Sequence, residues 1–161
     1  MRIVSGQYRG KAIVAPPGDA TRPTSDRARQ AVFNILEHAA WAPELHGARV
    51  VDLFAGSGAL GLEALSRGAA FRRDATDLGL PPSSVGAPFD IAFLDPPYAK
   101  GLGEKALAQL LAHGWLKPGA IVMFERGREE PEPATPGFTV LDTRDYGAAR
   151  VLFLKATSPA P

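Results

Sequence analysis

The chain has 161 residues, of which 45% are hydrophobic and 22% are charged, and it contains no cysteine. This composition is typical of one globular domain with a small appendage, and the lack of cysteine excludes disulfides and thiolate metal sites. We expect a cytoplasmic protein, because no apolar run approaches the roughly 20 residues that span a membrane and the first residues lack the apolar core of a secretion signal. The histidines His38, His46 and His113 are isolated from one another, so no metal site is expected.

Charge is unevenly distributed along the chain, although the net charge is only +1. The first 30 residues are rich in basic side chains, whereas the remainder is slightly acidic. This pattern favours an amino-terminal arm that binds phosphates, and the alternative is a solvated charged face. The basic side chains of the segment are Arg2, Arg9, Lys11, Arg22, Arg27 and Arg29.

The first predicted elements are a β-hairpin and a helix. Residues 2–15 alternate loosely and break at Gly6 and Gly10, as in a short hairpin, and the Pro-Pro-Gly sequence that follows forces a turn. A helix is predicted to begin near Asp26, whose charge suits the first turn. Helical spacing places Ala28, Val32, Ile35, Leu36 and Ala39 on its buried side and leaves Arg27 and Arg29 on its exposed side.

A strand, a glycine-rich turn and a second helix are predicted next. The strand covers Arg49–Phe54, and Gly56, Gly58 and Gly61 match the spacing of dinucleotide-binding loops. This spacing alone does not choose the cofactor. Asp52 would repel a pyrophosphate but suits a cationic ligand, such as the sulfonium and ammonium groups of S-adenosylmethionine. A tight strand-to-helix turn without a ligand is the alternative.

The tetrapeptide Asp95–Tyr98 follows an apolar run, Phe89–Leu94, that is typical of a buried strand. Its two prolines fix φ and remove N–H donors, so that carbonyl oxygens face outward. A carboxylate and a carbonyl side by side can accept both hydrogens of an –NH2 group, and a ring can stack on Tyr98. This pattern predicts a site for the exocyclic amine of a planar base, and a simple Pro-rich turn is the alternative.

The remaining segments predict alternating helices and strands and then a hairpin. Residues 72–76 are typical of the end of a strand, 104–113 of a helix and 119–125 of a strand. Residues 138–143 and 149–155 predict a terminal β-hairpin. The fold class is therefore α/β, with a doubly wound sheet and an antiparallel edge.

Four ordered segments of this sequence resemble the RsmD family of ribosomal RNA methyltransferases. The first two are residues 2–10 and 21–36, the third is the glycine-rich stretch 53–68, and the fourth is the tetrapeptide at 95–98. The resemblance implies a Rossmann-like methyltransferase domain over residues 21–157, preceded by a basic hairpin arm at 1–20. It also implies transfer of a methyl group from S-adenosylmethionine to the exocyclic N2 of a guanine in small-subunit ribosomal RNA.

The resemblance also implies roles for particular residues. The arm would bind RNA, either naked or within an assembled small subunit, and the protein is expected to act as a monomer. The catalytic residues would be Asp95, Pro96, Pro97 and Tyr98. The cofactor would contact Asp52, Leu53, Phe54, Ala55, Gly56, Ser57 and Gly58 through its methionine part, and Asp74 and Ala75 through its adenine.

The sequence departs from the family between Phe71 and Arg72, where a strand and a helix are missing. The family's second strand ends in an acidic residue that binds the ribose hydroxyls, and no residue here can be assigned to it. Either the segment is deleted, or it is disordered and absent from the sequence as printed. We favour the second explanation, because a deletion would take a strand from the middle of the sheet.

Other functions remain open at this point. In a nicotinamide-dependent oxidoreductase, Asp74 would bind a ribose and Arg72 and Arg73 a 2′-phosphate, but no hydride-transfer residues accompany them. A non-catalytic RNA-binding module with a decayed cofactor site is a second alternative. A third is a methyltransferase that acts on another base amine, such as DNA adenine.

Overall fold

The computed structural model describes residues 1–14, 26–54, 59–73, 88–96 and 101–157. Three helices lie in these ranges: α1 (Asp26–His38), α2 (Ala59–Ser66) and α3 (Leu102–Ala112). The strands are β1 (Arg49–Leu53), β2 (Ala70–Arg73), β3 (Phe89–Leu94), β4 (Leu116–Gly127), β5 (Phe138–Tyr146) and β6 (Ala149–Ala156). None of the described helices is long and apolar enough to cross a membrane.

The described strands form one six-stranded sheet in the order β2-β1-β3-β4-β6-β5. The first four strands run parallel, whereas β6 pairs antiparallel with both β4 and β5. The prediction of a doubly wound sheet with an antiparallel terminal hairpin is therefore confirmed. The chain goes from β1 outward to β2 and then back across to β3, so the strand order reverses between β1 and β3. In open α/β sheets, ligands bind outside the carboxyl ends of the strands at such a point.

Both faces of the sheet are covered, which explains why its central strands are nearly continuous apolar runs. On one face, Val32, Phe33 and Leu36 of α1 pack against the sheet, and the Phe33 and Phe93 rings lie 5.6 Å apart. On the other face, α3 inserts Leu107 and Leu110 beside Trp115. The helical spacing predicted for α1 is thus confirmed by its burial.

Arg29 corrects one sequence-based prediction, because its side chain is fully buried and not exposed. Its Nε donates to Glu63 Oε1 at 3.2 Å, and its Nη2 donates to Asp26 Oδ1 at 2.8 Å and to the Arg2 carbonyl oxygen. Helical spacing alone places Arg29 one turn before the buried Phe33 and Val32. The position can therefore face inward as soon as an acidic partner neutralises it.

The β2 strand contains the point at which the family's segment is missing from the sequence. It covers Phe71 and Arg72 and pairs with β1 from Arg49↔Ala70 to Asp52↔Arg73. Because β2 lies at the edge of the sheet, β1, β3 and β4 all have neighbouring strands on both sides.

The amino-terminal segment pairs with itself, as predicted, but only briefly. Arg2 and Ala12 form a single antiparallel bridge, supported by hydrogen bonds from Ile3 N to the Lys11 carbonyl and from Gly10 N to the Ile3 carbonyl. Ile3 and Ile13 are buried against Ala59 of α2. The arm therefore depends on α2 for its position, because an isolated two-stranded ribbon is marginally stable.

Candidate active site

Three acidic residues lie at the carboxyl ends of β1, β3 and β4. Asp52 is the penultimate residue of β1, Asp95 directly follows β3, and Glu125 lies two residues before the end of β4. The register aligns Leu53 with Leu94 and Leu94 with Phe124, so Asp95 and Glu125 occupy equivalent positions on neighbouring strands. Asp52 is 1% exposed and Glu125 is 5% exposed, whereas Asp95 is partly exposed. Asp95 is thus the member of the group that solvent and ligands can reach.

The surroundings of Asp95 favour its protonated form. Burial is the largest cause that raises the pKa of its carboxyl well above the usual value, followed by the negative charges of Glu125 and Asp52 and by a side-chain hydrogen bond to Glu125. Two carboxylates are both acceptors, so a hydrogen bond between them requires one proton. Among the described residues, no three His, Cys, Asp or Glu side chains could hold a metal ion.

Glu125 is a site residue that the sequence interpretation missed. The signal was present, since Glu125 ends an apolar strand in the same way as Asp52 and Asp95 end theirs. Parallel strands bring their carboxyl ends to one edge, so three acids at three strand ends belong to one cluster.

Phe54 marks the exit from β1 with an unusual backbone. Its φ is 59°, in the left-handed region, and no other non-glycine residue in the described part of the chain has a positive φ. For a bulky residue this conformation costs on the order of 1 to 2 kcal/mol, and such strain clusters at functional sites. Its ring packs against the hydrophobic cluster that α3 forms with the sheet.

Pro96 is held in place by the start of α3. It is buried, and a Cβ added to Gly103 would lie 3.3 Å from Pro96 Cγ and 2.3 Å from Phe124 Cζ. The absence of a side chain at Gly103 therefore permits α3 to approach both residues. This close approach packs Pro96 between α3 and the end of β3, directly after Asp95.

Arg126 ties the end of β4 to the same helix. Its Nη1 donates to Glu104 Oε1 at 3.0 Å, its Nη2 donates to the Pro131 carbonyl at 2.7 Å, and its guanidinium lies 5.4 Å from the centre of the Phe124 ring. Successive strand residues point to opposite faces, so Arg126 turns away from the side of the sheet that Glu125 faces. The pair Glu104–Arg126 therefore stabilises the strand end without neutralising the carboxylates.

A buried glutamate, Glu63 of α2, fastens the arm to the domain. It is 0% exposed, and it accepts hydrogen bonds from Val4 N at 2.8 Å and from Ser5 N at 3.1 Å. It also accepts from Arg29 Nε at 3.2 Å and from Arg67 Nε at 3.1 Å. Four donors thus converge on one carboxylate, which makes Glu63 the centre of the arm-to-domain contact.

Ser66 of α2 extends this contact by one helical turn. Its Oγ donates to the Ser5 carbonyl at 2.7 Å and accepts from Tyr8 N at 2.8 Å, while its carbonyl accepts from Gln7 N at 2.7 Å. Gly6 passes over it with φ +87°, and a Cβ there would lie 2.1 Å from the Ser66 carbonyl oxygen. The sequence interpretation missed both α2 residues, because a Glu and a Ser in an amphipathic helix carry no sign of their partner.

The structure exposes most of the predicted RNA-binding side chains that it describes. Arg2, Arg9, Lys11 and Arg27 are exposed, and Lys11 Nζ lies 5.8 Å from the centre of the Tyr8 ring. Arg29 is the exception described above. The predictions for Arg22, Ala55, Gly56, Ser57, Gly58, Asp74, Ala75, Pro97 and Tyr98 lie outside the described residues.

The sequence matches the profile of the family described as "Conserved hypothetical protein 95" over residues 1–73 and 69–155. The two matched parts overlap at residues 69–73, which include β2 and the point where the family's segment is missing. The family profile is therefore interrupted at the same place as the family resemblance.

Individual relatives cover nearly the whole chain. "Ribosomal RNA small subunit methyltransferase D" of Escherichia coli K12 is 35% identical, over 84% of this chain and 79% of the relative. The protein of the same name from Haemophilus influenzae is 29% identical, over 91% of this chain and 89% of the relative. A solved structure, "Putative methyltransferase yhhF" from Escherichia coli, superposes with a TM-score of 0.79 at 30% identity and covers 98% of both chains.

The family match spans almost all of the chain, and the fold and the order of the motifs agree with it. The chain belongs to the RsmD family.

Proposed function

We propose that this protein transfers a methyl group from S-adenosylmethionine to the exocyclic N2 amine of a guanine in small-subunit ribosomal RNA. Membership of the RsmD family supports the coarser part, an S-adenosylmethionine-dependent methyltransferase that acts on ribosomal RNA. The observation that carries the proposal is the position of Asp95 and Pro96 directly after β3, at the switch point of the sheet. The Asp95 carboxylate and the Pro96 carbonyl are two acceptors that fit the two hydrogens of an amine.

The residues of the site fit the proposed cofactor. Asp52 and Glu125 are buried acids beside Asp95, and both charges that act on Asp95 within the described residues are negative. A cation is the ligand that relieves such a cluster, and S-adenosylmethionine, when bound, supplies a methyl group on a positively charged sulfur. Asp52, Leu53 and Phe54 would hold its methionine part, and residues 55–58 and 74–75 would complete the site.

Orientation is the main contribution of Asp95 and Pro96. The lone pair of a guanine amine is delocalised into the ring, which makes the nitrogen a poor nucleophile. Hydrogen bonds from its two N–H groups to the Asp95 carboxylate and the Pro96 carbonyl favour a pyramidal nitrogen and direct its lone pair towards the methyl group. Such positioning accelerates a reaction without strong acid–base chemistry. Tyr98 would stack on the base once the base leaves its RNA stack.

The arm supplies the affinity for RNA in this proposal. Arg2, Arg9, Lys11 and Arg27 are exposed on the arm and the start of α1, and Arg22 would join them. We place the arm at residues 1–20 and the methyltransferase domain at 21–157. The protein would act as a cytoplasmic monomer without a metal, on RNA that is naked or part of an assembled subunit.

Replacement of Asp95 tests the catalytic proposal. Asp95→Ala should leave the binding of S-adenosylmethionine nearly intact and lower the turnover on small-subunit RNA by orders of magnitude. The assay is transfer of labelled methyl groups followed by mass spectrometry of the nucleosides, which should identify N2-methylguanosine. Asp90→Ala is the matched control, because Asp90 lies at the opposite end of β3 and pairs with Lys117 at 3.0 Å. Equal turnover of Asp95→Ala and wild type, or a methylated base other than guanine, would contradict the proposal.

Charge reversal tests the arm. Replacement of Arg9 and Lys11 by Glu should weaken RNA binding and lower the slope of log affinity against log salt, by about 1 for each lost phosphate contact. The binding of S-adenosylmethionine should not change. The control is charge reversal of Arg128 and Arg144, which are both exposed. They pair with Asp145 and Asp142 of β5, at the edge of the sheet opposite β2. A salt slope equal to that of wild type would remove the arm from the RNA contact.

A further inference from the structure

Asp95 and Glu125 lie level with each other at the ends of the neighbouring strands β3 and β4, and the proposed methyl transfer does not by itself require Glu125. Glu125 projects from β4 at the position level with Asp95 and is 5% exposed. Two carboxyl groups can form a hydrogen bond with each other only if one of them carries a proton.

We propose that Glu125 is a positioning residue that shares one proton with Asp95, and that binding of the positively charged cofactor expels this proton. The proposal rests on the proposed function and deepens it. Loss of the proton converts Asp95 into a full carboxylate, which is the form that accepts an N–H of the base amine. Glu125 thereby couples the state of Asp95 to the presence of the methyl donor.

The charges around Asp95 support this coupling. Glu125 faces it from β4 and Asp52 faces it from β1, and Arg126, the next cation on β4, is engaged by Glu104 of α3. Burial and the two negative charges raise the pKa of the Asp95 carboxyl in the free protein. A positive charge placed nearby favours the ionised form and lowers the same pKa. Binding of a cation and release of a proton are therefore linked.

The proton balance of the reaction closes on the same pair. A bond forms between the amine nitrogen and the methyl carbon while the bond from that carbon to sulfur breaks, and its electron pair stays on sulfur. The nitrogen then gives up one proton, and Asp95, hydrogen-bonded to Glu125, takes it up. Because the positive charge on sulfur is lost in the same event, the pair regains the proton that it held before the cofactor bound.

Calorimetry can count these protons. Binding of S-adenosylmethionine and of its demethylated product, which lacks the positive sulfur, is measured in buffers of different ionisation enthalpy over a pH series from mildly acidic to mildly alkaline. Wild type should release more protons with S-adenosylmethionine than with the product in part of this series. Glu125→Gln should bind both ligands and lose the difference, because the amide can donate to Asp95 and keep it ionised. Glu129→Gln, an exposed substitution just beyond β4, should behave as wild type.

The outcomes separate this inference from the proposed function. Equal proton counts for the two ligands at every pH in wild type, with both ligands bound, would overturn the inference and leave the function intact. Failure of wild type to bind either ligand would contradict the proposed function itself. If Glu125→Gln does not fold, the comparison of the two ligands on wild type still decides. A second readout is the pH dependence of turnover, whose acidic limb should move to lower pH in Glu125→Gln.

Discussion

Replacement of Glu63 by Gln should detach the arm and destabilise the whole domain. The carboxylate is 0% exposed and is the shared acceptor of two arm amides and two arginines, at distances from 2.8 to 3.2 Å. The amide retains one acceptor, but its –NH2 group must face donors, and Arg29 loses a buried counter-charge. Removal of one partner from a buried ion pair costs about 3 to 5 kcal/mol. For a chain of this size, each kcal/mol lowers the melting temperature by about 2 to 4 °C.

Circular dichroism during heating measures this loss, and hydrogen exchange localises it. The melting temperature of Glu63→Gln should fall by about 10 °C, and the amides of Val4 and Ser5 should exchange faster, because both donate to Glu63 in the native protein. Glu37→Gln is the matched control. Glu37 pairs with the same Arg67 at 3.0 Å, but its side chain is 31% exposed, so its loss should cost less than about 1 kcal/mol. Equal melting temperatures for the two variants would refute the role given to burial.

Three further predictions concern the core and the site. Gly103→Ala should lower both the melting temperature and the turnover, because its Cβ would lie 2.3 Å from Phe124 Cζ and the buried rings can shift only at about 1 to 3 kcal/mol; an unchanged melting temperature would contradict this packing. Arg29→Lys should also destabilise the fold, yet the salt slope of RNA binding should equal that of wild type, and a reduced slope would mean that Arg29 does contact phosphates. The free energy of unfolding should fall as the pH rises through the pKa of Asp95, because burial and its two acidic neighbours make this carboxyl hold its proton more tightly in the folded chain. The stability gained from this tighter proton binding is complete below the pKa that the Asp95 carboxyl has in the unfolded chain. Thermal unfolding of Asp95→Asn over a pH series should show no such fall in the free energy of unfolding.

The sequence predicts the central strands and the acids at their ends, because these features are local. Phe89–Leu94 is apolar throughout, and Asp95 and Pro96 follow it directly, so the strand and its site can be read from one short stretch. The terminal hairpin is local in the same sense. Each of these predictions needs only the residues of one element and the rule that parallel strands end at one edge.

The prediction that failed depends on a partner far away in the sequence. Arg29 is buried because Glu63, 34 residues later, neutralises it, and neither residue reveals the other. The order of strands in the sheet is likewise encoded in no single segment, so the sequence does not show that β2 lies at an edge.

The edge position of β2 limits its contacts within the sheet to one strand, β1. Because β1 and β3 each have a partner on both sides, a change in the length of the chain around β2 leaves the alignment of Asp52, Asp95 and Glu125 intact. The strand ends that carry these acids therefore tolerate variation at β2 without losing their register.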